Sequence, residues 1–369
     1  MKISYDYEKS VEYLRRIQKR TNTLRETVDL YPGPKNTQEY TKLVEEAAFL
    51  QEFLPTEYES DLSYYVIFPA LVHINALMSA SDKTDYMQPV IGTITTFGID
   101  AFSYYDEDIS VIVISRFVLY FFRFFALVIA DLFVENEANN GYKIPIHKTN
   151  EAQDKYIHDK LIKMDYINKY YVDYICSFVL CGNLNIIKHY PIKNDYMGDL
   201  AGRILQVTAH FIVAHEYAHI YYNHPFKNEI TNDLYRETPY IMEDEADSFA
   251  IVMSKIRFDE EDGSSRFWMI GIALMVLDML SNTRSYYSTI QFNPNKDLYR
   301  PFRQNIYAYE LNEYINKGLD YKQLILARMC QTVFKTLYEN NNEKIKRLIL
   351  KYNGINADYV KIQEEIYND

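Results

Sequence analysis

Leu200 to Tyr222 reads LAGRILQVTAHFIVAHEYAHIYY, and this stretch decides how the rest of the chain is read. It is apolar, lacks proline and has one glycine, Gly202, so it predicts a continuous helix, about 197–222. His215 and His219 are four apart, which puts both imidazoles on one helix face. Glu216 follows the first histidine and is directed toward the same cavity. The pattern is HExxH: two neutral imidazoles on Zn²⁺, and a carboxylate that takes a proton from the water at the metal. The competing reading is a pair of core histidines. An ionisable cluster in so apolar a helix must, however, be paired, metal-bound or neutralised.

Two histidines call for a third protein ligand. His224 lies five residues past His219, about 140° further round a helix, and Pro225 ends the helix. It reads as a helix C-terminal histidine favoured by the dipole. Thr238-Pro239 is a good helix start and opens TPYIMEDEADSFAIVMSKI, expected as a helix over 239–256. Glu243 and Asp247 are four apart there, among Ala246, Phe249 and Ala250. Glu243 can supply the carboxylate ligand, with Glu245 as the second choice. Asp247, one turn on, can accept the other N–H of a metal-bound histidine and fix its tautomer. A solvated acidic patch is the alternative for this run of carboxylates.

HEYAH followed by EDEAD resembles the gluzincin zinc metallopeptidases, whose pattern is HExxH and then ExxxD on the next helix. The form Glu243-Asp-Glu-Ala-Asp247-Ser-Phe-Ala is similar to that of HtpX-type peptidases, Lit-type phage-exclusion peptidases and ImmA/IrrE-like proteins. Asp100-Ala101-Phe102, followed by a turn, the strand Ile109–Ile114 and a helix, is similar to the Asn-Ala-Phe edge strand of HtpX-type enzymes, with Asp100 in place of Asn. The resemblance implies that this strand binds substrate by pairing with its backbone. It also implies a soluble, Lit-like zinc endopeptidase with one Zn²⁺ per chain, acting on a protein or peptide. Its ligands would be His215, His219 and Glu243, its base Glu216, and Asp247 would stand behind a ligand. Tyr286, Tyr287, Arg300 and Arg303 are candidates to stabilise the oxyanion. Arg303, in RPFRQNI, resembles the late Pro…Arg segment of HtpX-type chains and is taken as the catalytic arginine. A specific regulatory or phage-defence protease is the expected role. The alternative is a catalytically silent, metal-stabilised zincin-like interaction protein, against which the intact Glu216 counts.

The composition fits a globular protein. In 369 residues the hydrophobic fraction is 48%, enough to bury a core and exclude general disorder. Glycine and proline number only 11 each, which favours helices over turn-dense β architectures. The 36 tyrosines read first as codon bias. A net charge of −12 makes a poor partner for phosphate backbones, so nucleic-acid binding is not expected. Cys176, Cys181 and Cys330 show no metal-knuckle spacing and suit a reducing, cytoplasmic setting. No signal peptide is expected, because MKISYDYEKSVEYLRR has no apolar run. Val111–Val134 is long enough to span a bilayer, but Arg116, Arg123 and Asp131 inside it favour a buried helix, so no membrane span is expected.

Further out, residues 4–54 predict two helices separated by Tyr31-Pro32-Gly33-Pro34, and a weaker pattern runs to about residue 90. IGTITTFGIDAFSYY, from Ile91, alternates as a half-buried strand does; a turn at Tyr105–Asp108, a second strand and a helix capped by Ser115 follow. Residues 135–195 look like an insertion. Another apolar helix is expected from Phe267 to Leu280, and three or four amphipathic helices end the chain. The sum is a helix-rich α+β protein: a zincin-like core with a small antiparallel sheet and extra helices at both ends. Residues 1–90 form an N-terminal helical region, 91–305 the metallopeptidase core, and 306–369 a C-terminal helical region. Oligomeric state is left open.

Overall fold

The structure, a computed structural model, describes residues 6–23, 54–80, 88–95, 101–106, 108–137, 141–143, 146–147, 149–181, 188, 190–224, 238–259, 268–277, 321–352 and 359–368, with isolated positions at 38, 41, 42 and 45. Asp100, Tyr286, Tyr287, Arg300 and Arg303 lie outside these residues, as do the Tyr31–Pro34 breaker and the loop around Asn293-Pro294-Asn295.

Ser110–Ser115 (SVIVIS) is the centre of a three-stranded sheet. Every residue of it is buried, as expected for a run of β-branched side chains covered on both faces. This strand, β3, pairs parallel with β1 (Val90–Ile94) and antiparallel with β2 (Ala101–Tyr105), giving the order β1-β3-β2. The sheet is therefore mixed, where an antiparallel one was expected. The most apolar strand needs cover on both edges as well as both faces, so it takes the middle. The more polar AFSYY goes to the edge, and β1 must reach β3 from the other side.

The pleat divides the strands between two layers. Val111 and Val113 of β3 pack with Val90, Ile94 and Leu14, the last on helix α1 (Tyr7–Arg20). Ile112 and Ile114 point the opposite way into the main core. That core is built on helix α2 (Asp61–Ala80) and helix α3 (Arg116–Phe133), with later helices closing round them. Ser115 caps α3 as its sequence suggests, its Oγ accepting from the Phe117 amide at 3.3 Å. Every residue of α3 is buried. Its charged side chains have polar partners: Arg116 donates to Tyr58 O at 2.6 Å and Thr93 Oγ1 at 3.1 Å, and Arg123 bonds Tyr174. Asp131 takes Lys193 at 2.8 Å and the Tyr190 hydroxyl at 2.7 Å. The Val111–Val134 stretch is thus the last part of a strand and a core helix.

Among the described residues one helix, α2, is long and apolar enough to cross a membrane, over Ser63–Ala80. Ile67, Leu71, Ile74 and Met78 on it pack into the same core as α3. Residues 135–195, expected as an insertion, include the short strands β4 (Glu135–Glu137) and β5 (Gly141–Lys143) and the helices α4 (Asn150–Lys163) and α5 (Asp165–Cys176). Ile157, Leu161, Ile167 and Tyr171 from these helices share the main core. Then come α6 (Asp195–Tyr221), α7 (Thr238–Asp259) and α8 (Trp268–Leu277). The chain closes with α9 (Tyr321–Tyr352), a single 32-residue helix, and α10 (Tyr359–Asn368).

Candidate metal centre

Helix α6 starts where Asn194 accepts from the Met197 amide at 2.8 Å. It then runs through the core, touching α2, α3, β2 and α7. Its length is supported by an almost unbroken line of buried residues from Val207 to Ala218. The HExxH segment thus sits at the C-terminal end of a rigid, anchored rod. Helix α7 packs along it and brings the carboxylates of EDEAD to the histidines.

Nε2 of His215 and Nε2 of His219 are 3.2 Å apart. Glu243 places Oε2 at 3.3 Å from the first and Oε1 at 4.0 Å from the second. One ligand atom from each of the three residues lies within 4.8 Å of the others. Ligands about 2.0–2.1 Å from a tetrahedral zinc stand about 3.3 Å from one another, so two of the three edges already match and the donor set, N, N and O, suits that ion. The group fits. Behind it, Asp247 is almost wholly buried and its Oδ1 lies 2.8 Å from His215 Nδ1. That contact leaves Nε2 of His215 as the ligand nitrogen.

The local field favours a cation. Burial pushes the His215 imidazolium down, but hydrogen bonds to Asp247 and Glu243 outweigh it and hold its pKa at about 10. Two carboxylates, one of them buried, stand against this ring, an arrangement that suits a cation. Glu216 follows His215 and is buried, its side chain leaving the helix about 100° round from that of His215.

Other expected site residues stand as follows. Glu245, the second-choice ligand, does not join the group; its carboxylate lies 3.0 Å from His224 Nε2. Ala101 is on β2 and faces the main core, whereas Phe102 packs on the α1 side of the sheet. The strand lies beside α6, and the Tyr105 hydroxyl donates to the His224 carbonyl at 2.6 Å. His210, which sequence reading passed over, is a core histidine: it contacts His73 at 3.1 Å and Ser254 Oγ at 3.0 Å.

His224 was read as if the helix continued to it. Instead α6 ends at Tyr221, and Asn223 takes a left-handed φ of 57°. The His224 amide then bonds His219 O at 2.9 Å, and the Asn223 amide bonds Ile220 O at 3.1 Å. This is a Schellman turn, which reverses the chain over the last helical turn. The pattern Asn223-His224-Pro225, an αL-tolerant residue two before a proline, was the available signal.

Residues 185–295 match the family described as Peptidase U49. The matched stretch carries all of α6, α7 and α8, including His215, Glu216, His219, Glu243 and Asp247, and supports a peptidase. No curated protein and no solved structure matches the chain.

Proposed function

We propose that the chain is a zinc-dependent endopeptidase of gluzincin type. The observation that carries this is the convergence of His215, His219 and Glu243 at near-tetrahedral spacing, from an HExxH helix and its neighbour, inside the segment that matches a peptidase family. His215, His219 and Glu243 would hold the zinc. When bound, zinc polarises a carbonyl and lowers the pKa of a water toward ~7. Asp247 holds His215 in the tautomer that turns Nε2 inward. Glu216 takes the proton of the attacking water and delivers it to the leaving amine, breaking the C–N bond. Arg303 is the proposed oxyanion partner. Backbone of the substrate adds to the outer edge of β2, which Tyr105 ties to the end of the HExxH helix. A specific regulatory or phage-defence role, resting on the Lit-type resemblance, predicts one or a few protein substrates.

The test compares protein N-termini in cells expressing wild type or Glu216→Gln. The expected result is a small set of new termini in wild type alone, lost on zinc chelation. Identical termini in both, with zinc bound, would contradict a protease and leave the silent interaction protein.

A further inference from the structure

We propose that His224 and Glu245 form a positioning dyad that fixes the tautomer and ring plane of His219, the ligand that Asp247 does not reach. The inference rests on the zinc site proposed above and adds two residues to it. His219 Nδ1 lies 2.8 Å from His224 Nδ1, and His224 Nε2 lies 3.0 Å from Glu245 Oε2. The proton order follows from the ends of this chain. A carboxylate only accepts, so Nε2 of His224 must carry the hydrogen that Glu245 receives. A neutral His224 then has a lone pair on Nδ1, which can only accept from Nδ1–H of His219. That leaves Nε2 of His219, on the side of His215 and Glu243, bare and available to a cation. Each hydrogen bond in the chain has one donor and one acceptor, with no atom in conflict.

The backbone is built to hold this arrangement. The left-handed Asn223 folds His224 back so that its amide bonds the carbonyl of His219 itself, while its ring reaches the ring of the same residue. The carbonyl of His224 is held from the other side by the Tyr105 hydroxyl of β2. His224 is buried although it lies past the end of the helix, and Tyr222 stacks on it at 5.6 Å between ring centroids. The two ligand histidines are therefore oriented by different means. His215 has a direct carboxylate, and His219 has a carboxylate acting through an intervening imidazole. The acidic run EDEAD divides its labour accordingly: Glu243 faces the ligand group, Asp247 holds His215, and Glu245 holds His224.

The test measures zinc affinity by chelator competition for wild type, His224→Phe, Glu245→Ala and Glu245→Gln, with the absorption spectrum of the cobalt-loaded proteins as a report on ligand geometry. His224→Phe removes the acceptor while keeping a ring, and about a 10–100-fold loss of affinity with a changed cobalt spectrum is expected. Glu245→Ala, at a half-exposed position, is expected to weaken binding in the same direction, and Glu245→Gln, whose amide oxygen still accepts, to recover most of it. Wild-type affinity and spectrum in both His224→Phe and Glu245→Ala would overturn the dyad and leave the zinc site standing. A wild type that takes up no zinc would overturn the site and the dyad together. Should His224→Phe fail to fold, the Glu245 pair still decides.

Discussion

His210 shows what a buried histidine does when it is not a ligand. Burial, reinforced by His73 and Arg257, holds its pKa at about 3. Above the ordinary histidine value near 6.5, both folded and unfolded chains keep it neutral. Below that value the unfolded chain takes a proton that the folded one refuses until pH nears 3, so stability is lost as pH falls through this window, by up to ~1.4 kcal/mol per pH unit. Denaturant unfolding at pH 7 and pH 5 should show a drop in wild type that is smaller in His210→Asn; equal drops would contradict the assignment. Asp247 belongs to the same scale. Asp247→Asn keeps the shape but can present an N–H to His215, and zinc affinity by chelator competition is expected to fall about 10–100-fold. Sequence alone pointed to the grouping of His215, His219 and Glu243 with Asp247 beside His215, because helical spacing within each of two adjacent helices puts these side chains on one face. His224 was not legible: its position depends on one left-handed residue, which reverses a chain direction that spacing had assumed to continue.

Elements were readable in proportion to how local their causes are. The helices α3 and α6 carry their own N-caps, Ser115 and Asn194, and these two and α7 fall within a few residues of where the sequence puts them. Helix α2 went unread because from Leu62 to Ala80 it has no charged residue and only scattered polar ones, so no face stands out. The order of the strands was hidden too, since the centre goes to the strand that is most apolar relative to the other two and best covered by α1 and α2, a comparison that no single strand's sequence makes. Gly92 tests that cover. A Cβ there would stand 2.5 Å from Leu14 Cδ2 and 2.6 Å from Glu59 Oε1. Neither neighbour can give easily, because Leu14 is buried between α1 and the sheet and Glu59 accepts from Thr93 and Gln18. Gly92→Ala should cost about 1–3 kcal/mol in urea unfolding and speed amide exchange in α1. An unchanged midpoint would contradict the packing of α1 on β1.

Across the whole molecule, the tyrosine richness that read as composition has a structural use. Asp131 and Asp173 are both buried carboxylates surrounded by tyrosine hydroxyls. Asp173, on α5, accepts from Tyr359 at 2.6 Å, Gln363 at 3.2 Å and Tyr367 at 3.0 Å, all on α10. The last helix is thereby fastened to the core across nearly 200 positions of sequence, a link no local pattern could reveal. Asp173→Ala is expected to raise amide exchange in 359–368 at least about 10-fold, the equivalent of one lost charged hydrogen bond, whereas unaltered protection would show that the other contacts of α10, apolar and polar, hold it without Asp173. The central claim depends on a shorter return of the chain, which lays α7 along α6. The most direct test is the metal content of purified wild type beside Glu243→Ala and Glu216→Gln. About one zinc per chain in wild type and Glu216→Gln, and little in Glu243→Ala, is the predicted result. No zinc in wild type, even after zinc is supplied, would contradict the account at its base.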